Sequence, residues 1–157
     1  MDYTHPKRKT KAVFVQLGSP AEPTAKALRK YLRKFLGDPR VVDINPLLWK
    51  IILNLFVLPF RPKKSAKLYA RIWDGKSFPL ITNTRDFTNN VRDELKKIDP
   101  NGYVEVNHAF LLSPPYVNEV YDSWEDDLKK GVGATKLLVI PMFPQYSEST
   151  IASGIDA

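Results

Sequence analysis

Lys11-Ala-Val-Phe-Val-Gln-Leu-Gly18-Ser-Pro20 is a continuous apolar run that breaks at a glycine and a proline, the signature of a buried strand passing into a loop. Beyond the loop, Leu28, Tyr31, Leu32, Phe35 and Leu36 recur at helical spacing, and Gly37 stops the helix. Strand, Gly loop and helix in that order predict a βαβ unit, and with it an α/β chain whose parallel sheet is flanked by helices. The loop Leu17-Gly18-Ser19-Pro20 then falls at the carboxyl end of the first strand, where open α/β sheets take their ligands. A single glycine cannot form the multi-glycine turn that brings backbone up to a pyrophosphate, so this is not a dinucleotide fingerprint.

Further along, Tyr103 to Leu112 predicts a second strand ended by Ser113-Pro-Pro115, and Lys136 to Met142 a third with the unbroken apolarity of a parallel-sheet interior. Val117, Val120, Tyr121, Trp124 and Leu128 stripe the helix between them, and Phe87, Val91, Leu95 and Ile98 stripe an earlier one that Asp99-Pro-Asn-Gly102 closes. Arg40 to Ile44 reads as a short strand, Ser65 to Trp73 as a helix and Phe78 to Ile81 as a brief extended piece. Phe143 to Ser147 is an exit loop, and Glu148 to Ile155 starts a helix. That helix has about two turns where a covering helix usually has three or four, which points to one lobe of something larger. Residues 1–10 read as a basic, solvated tail and residues 11–157 as the lobe.

Between Leu47 and Leu58 ten of twelve positions are apolar, with only Lys50 and Asn54 between them, and cations follow at once. Spanning a membrane would take about 18 or more such residues. Three readings stay open: a core helix, an apolar lip over a ligand pocket, or an element lying in a membrane surface. Pro46 would open it as a helix.

The chain has 157 residues, 43% hydrophobic and 26% charged, which fits one globular domain able to bury a core. It has no cysteine, which excludes disulfides, thiolate metal sites and a thiol nucleophile. The net charge of +7 is uneven: Lys26 to Arg71 holds twelve Lys or Arg against Asp38 and Asp43, and Asp86 to Ala157 twelve acids against six bases. One part of the surface therefore attracts anions, with nucleic acid, anionic lipid and a carboxylate-bearing small molecule as candidates. Lys26, Arg29, Lys30, Arg33 and Lys34 themselves read as a solvated helix face. The mixture of Arg61, Lys63, Lys64 and Lys67 with Tyr69, Arg71 and Trp73 could suit nucleic acid. The adjoining apolar run argues against that, because a flat apolar acid would use both features.

Only two histidines are present, His5 in the tail and His108 in the second strand, with no zinc-hydrolase pattern around either. A lone strand histidine is more often packed and hydrogen-bonded than ligating. Ser147-Glu148-Ser149-Thr150 reads as a hydroxyl-rich helix cap, or as an anion site built on backbone N–H groups.

Four ordered pieces carry a resemblance: Leu17-Gly18-Ser19-Pro20, Tyr31-Leu-Arg-Lys-Phe-Leu-Gly-Asp-Pro-Arg-Val-Val-Asp43, Lys67-Leu-Tyr-Ala-Arg-Ile-Trp73 and Pro144-Gln-Tyr-Ser147. Together they cover nearly the whole chain, and they resemble the amino-terminal lobe of ferrochelatases, which insert ferrous iron into protoporphyrin IX. The resemblance implies a Rossmann-like, chelatase-like lobe, one of two around a porphyrin cleft, with no cofactor required. It implies a porphyrin-binding set of Leu17, Gly18, Ser19, Arg61, Tyr69, Ser77, Gln145, Tyr146 and Ser147, in which Arg61, Tyr69 and Ser77 hold propionates. It also implies a lip comprising Leu47, Leu48, Trp49, Ile51, Ile52, Leu55 and Phe56.

The family's metal-site His and Glu belong to the carboxyl-terminal lobe, so no catalytic or metal residue is expected here. Two departures stand out: Lys76-Ser77-Phe78-Pro79 replaces a Gly-Ser-Pro, and Phe110-Leu111-Leu112 replaces a segment with a cation and a turn glycine. The expected partners are porphyrin, the second lobe, a membrane surface and a second copy of the lobe, with no nucleic acid. The expected location is cytoplasmic, peripheral to the inner face of the membrane. The alternatives are a short homodimeric chelatase for another tetrapyrrole, with His108 as its sole candidate ligand, or a non-catalytic porphyrin-binding or membrane-surface module.

Overall fold

A computed structural model describes residues 9–145, 147 and 150. The elements are β1 (Thr10–Gln16), α1 (Ala25–Leu36), α2 (Pro46–Ile52), a π turn (Leu53–Val57), α3 (Leu58–Tyr69), a 3-10 turn (Ala70–Ile72), α4 (Pro79–Ile98), β2 (Val104–Phe110), α5 (Val117–Lys129) and β3 (Lys136–Pro141). The three strands form a parallel sheet in the order β2-β1-β3, with Phe14 in register with His108 on one side and Ile140 on the other.

The period-2 alternation of β1 divides the core into two faces. Ala12 and Phe14, with Val106 of β2, pack against Val91 and Leu95 of α4. Val13 and Val15, with Ala109, pack against Val117 and Val120 of α5. Buried side chains of this kind contribute about 1.5–3 kcal/mol each, so the α4–sheet–α5 sandwich is the rigid frame for the loops above it. A third cluster of Leu36, Leu53 and Leu58 gathers Leu32, Phe35, Val41, Val42 and Trp49, tying α1 to the α2–α3 segment.

The structure corrects five expectations. Arg40 to Ile44 is not a strand: Asp38 accepts from the Arg40 N–H at 2.9 Å and its carbonyl from Val41 at 3.0 Å, a turn that sends Val41 and Val42 into the third cluster. The helix expected from Ser65 begins earlier, continuous through the π turn from Pro46, because Asn45 caps α2 by accepting from Leu47 and Leu48 at 3.1 and 3.3 Å. The extended piece Phe78 to Ile81 is the start of α4, with Phe78 extended at the cap and Pro79 at the first helical position. Strand β3 lies at the edge of the described sheet, with Leu138 and Val139 exposed, and β1 is the interior strand. The expected tail at residues 1–10 is shorter than that: Thr10 opens β1 beside Val104 and Lys136, and the Lys9 carbonyl accepts from the Thr135 N–H at 2.9 Å. Residues 1–8, with His5, and most of the expected helix from Glu148 to Ile155 fall outside the described residues.

Candidate functional site

The loops after β1 and β2 are held side by side above the sheet. Leu111 and Leu112 donate to the carbonyls of Gln16 and Leu17 at 3.1 and 3.0 Å, and the Ser19 N–H donates to Ser113 Oγ at 3.3 Å. Gly18 makes this approach feasible: its φ is +92°, and a Cβ there would run into Ser113 Oγ and come within 3.1 Å of the Phe110 Cβ. The result is a cleft of about 320 Å³ at the carboxyl ends of β1 and β2, the ligand edge of an open α/β sheet.

One wall of the cleft comes from α1, whose Ala27, Lys30, Tyr31 and Lys34 all line it. Trp73, Ser77, Phe78 and Ile81 form the opposite wall, and Leu112, Ser113, Pro114 and Tyr116 close the side. Lys34 Nζ sits 3.9 Å from the centroid of the Tyr116 ring, a cation–π contact. The buried Tyr31 hydroxyl donates to the Gly18 carbonyl at 3.5 Å. Burial, and then Tyr69 beside it, push its pKa up, so it stays a phenol and a donor. Behind the cleft the rings continue from Tyr31 to Tyr69 at 6.4 Å, Tyr69 to Phe78 at 5.5 Å and Phe78 to Trp73 at 4.7 Å.

That ring ladder accounts for the Lys76-Ser77-Phe78-Pro79 departure. Phe78 turns inward and is 1% exposed, while Asp74 Oδ1 accepts from the Lys76 and Ser77 N–H groups and fixes the Ser77 backbone. Those two bonds also hold the Asp74 carboxyl below its ordinary pKa. Ser77 is left half-buried on the cleft wall. At the second departure Phe110 is fully buried and Leu112 faces the cleft as an apolar wall.

Of the expected site residues, Ser19 and Ser77 meet at this cleft, with Gly18 shaping it and Tyr69 one ring behind. Leu17 is half-buried at the start of the loop. Arg61 lies elsewhere, exposed on α3 and sharing a flank with Ser65 and Tyr69 at four-residue spacing. Gln145 is exposed beyond β3, and Ser147 Oγ is 2.8 Å from Thr150 Oγ1 in a local turn. Tyr146 falls outside the described residues.

The apolar segment is part core and part exposed apolar surface. Leu47, Leu48, Ile51, Leu55 and Phe56 are exposed, as is Phe60 at 71%. Leu53 and Leu58 are core, Ile52 is half-buried, and half-buried Trp49 anchors the segment by donating Nε1 to the Leu36 carbonyl at 2.7 Å. No helix among the described residues is long and apolar enough to cross a membrane.

His108 lies off the cleft, half-buried on β2, with its buried Nδ1 unpartnered; burial first, then Arg92 and Arg85, lower its pKa. Among the described residues no group of three His, Cys, Asp or Glu could hold a metal ion.

Sequence reasoning missed Lys30, Tyr31, Lys34, Trp73 and Tyr116 as cleft residues. A signal was present: Ala27, Lys30, Tyr31 and Lys34 stand at i, i+3, i+4 and i+7, one face of a helix.

A family model described as ferrochelatase matches residues 9–157. A ferrochelatase of Idiomarina loihiensis is 43% identical over 145 residues, 92% of this chain and 38% of that protein. One of Teredinibacter turnerae is 44% identical over 151 residues, 95% of this chain and 39% of the relative. A third, from Francisella tularensis, is 37% identical over 157 residues, 98% and 44% of the two. The chain thus spans about two fifths of the length of the curated relatives it matches. The match extends over β1, its Gly18 loop, the apolar segment from Leu47 to Leu58, the cleft and β3, and this chain belongs to the ferrochelatase family.

Proposed function

We propose that this chain is the porphyrin-gripping amino-terminal lobe of an enzyme that inserts ferrous iron into protoporphyrin IX to form protohaem, a lyase of haem biosynthesis. The observation that carries the reading is the course of α3. Exposed Leu55, Phe56 and Phe60 run straight into Arg61, and Ser65 and Tyr69 continue the same flank toward the Ser77 cleft. A flat apolar body edged by carboxylates needs such a surface: aliphatic and aromatic side chains under the macrocycle, and a guanidinium fork with hydroxyls where the propionates meet water.

The lobe's part in the reaction is to hold the macrocycle by its edge and face, so that remote binding energy can bend it and expose the pyrrole nitrogens. The base that takes the pyrrole protons comes from the second lobe. By itself the chain binds porphyrin without turnover. In the cell it works in the cytoplasm with the lip resting on the inner face of the membrane.

The test is Arg61→Ala in the protein as its gene encodes it, with porphyrin binding followed by fluorescence. Affinity for a dicarboxylic porphyrin falls by about 1.5–3 kcal/mol, and Arg61→Lys recovers part of it. An equal loss with a porphyrin lacking carboxylates would rule out the propionate role of Arg61.

A further inference from the structure

We propose that Lys30 and Lys34 form a second carboxylate subsite in the cleft above β1 and β2, one that takes a propionate arm of the tetrapyrrole separately from Arg61. This rests on the porphyrin reading above. The two amines stand one helical turn apart on the α1 face that lines the cleft, together with Tyr31. Like charges at that spacing destabilise a helix, and an anion between them removes the cost.

Elsewhere lysines are neutralised on their own helices: Lys96 pairs with Asp93 at 2.8 Å, Lys97 with Glu94 at 2.7 Å and Lys129 with Glu125 at 2.8 Å. Neither Lys30 nor Lys34 has such an ion pair among the described residues. The acid that acts on Lys34, Glu119, already accepts from the Tyr116 N–H at 2.9 Å as the cap of α5. Tyr116 in turn holds Lys34 in place beneath its ring face.

The surroundings suit the arm of an apolar acid. Trp73, Phe78 and Leu112 supply apolar walls, and the Ser19 and Ser77 hydroxyls can complete the hydrogen bonds of a carboxylate. About 320 Å³ admits a propionate with the pyrrole edge that carries it, whereas a whole macrocycle must lie outside it. Arg61 does not line this space, so two carboxylates of one substrate have two separate cationic anchors.

The experiment titrates the protein as its gene encodes it with deuteroporphyrin IX and with its dimethyl ester, followed by porphyrin fluorescence. Lys30→Gln/Lys34→Gln weakens the dicarboxylate roughly tenfold to a hundredfold, the range for hydrogen bonds to charged groups, and leaves the ester unchanged. Lys34→Arg keeps most of the affinity. Adding Arg61→Ala multiplies the loss, as independent contacts require. Both lysines are exposed, so the variants fold, which circular dichroism checks. Undiminished dicarboxylate binding by the double variant overturns the subsite, as does an equal loss with the ester or no further loss with Arg61→Ala. Wild-type protein that binds neither porphyrin overturns the porphyrin reading itself, an outcome distinct from the others.

Discussion

The Nε of Arg29 donates to the carbonyl of Leu58 at 3.1 Å, and that carbonyl is the one Pro62 leaves without a helical partner. Proline has no N–H, so the bond from residue 62 back to residue 58 cannot form inside α3. A guanidinium from α1 takes its place and joins the two helices around the Leu36, Leu53 and Leu58 cluster. Arg29→Met is expected to lower stability by about 1 kcal/mol, the net value of an ordinary hydrogen bond, because the charge on exposed Arg29 is screened by water. In a Pro62→Ala background the restored N–H occupies the carbonyl, and the same substitution should cost less than half as much. A double-mutant cycle by urea denaturation measures this. Equal costs in the two backgrounds would sink the account.

His108 sets a pH dependence with a definite sign. Burial of the ring, then Arg92 and Arg85, hold its pKa below the ordinary 6.5, so the unfolded chain takes up the proton first as pH falls. Stability is therefore whole above about pH 6.5 and is lost as pH falls from there through the folded-state value. His108→Gln should flatten the fall in unfolding free energy between about pH 7.5 and 5.5. The difference between the two proteins isolates His108, since His5 and the carboxylates titrate in both. A parallel fall in the variant would show that the group responsible is another one.

The sandwich was legible in the sequence because β1, α4 and α5 bury faces whose apolar period matches their geometry, as Ala12 and Phe14 against Val13 and Val15 illustrate. Where tertiary contacts override a local signal, the reading failed. Val41 and Val42 have strand character, yet the Asp38 turn delivers them to a cluster that neither could reach as a strand. Pro62 inside α3 leaves the Leu58 carbonyl open, and the distant Arg29 fills it. The cleft was half legible: Ser19 and Ser77 were expected there, but Lys30 and Lys34 looked like a solvated face. The face they share with Tyr31 was visible in the spacing of α1, but what makes it a cleft wall is Tyr116, brought across from the loop after β2.

One such irregularity can be read directly from spacing once the structure is known. Trp49, Leu53, Leu58, Pro62 and Ala66 are the inward positions of the α2–α3 segment, four residues apart except for the five between Leu53 and Leu58. The outward Leu47, Ile51, Phe56 and Phe60 make the same five-residue step between Ile51 and Phe56. In an unbroken α-helix an extra residue would swing everything beyond it by roughly 100°, taking Pro62 and Ala66 out of the core. The π turn at Leu53–Val57 absorbs it, with the Leu58 N–H reaching back five residues to the Leu53 carbonyl. Deleting the exposed Asn54, whose amide donates to the Lys50 carbonyl at 2.7 Å, should convert the turn to regular α-helix with both stripes still on their faces. The cost should not exceed about 1 kcal/mol. Deleting Lys64, equally exposed but within regular α3, rotates Ala66 and Tyr69 away from their partners and should cost well over about 2 kcal/mol. Urea denaturation of the two deletions decides the matter: equal destabilisation would mean that the π turn does not act as the register adjuster between the buried and exposed stripes.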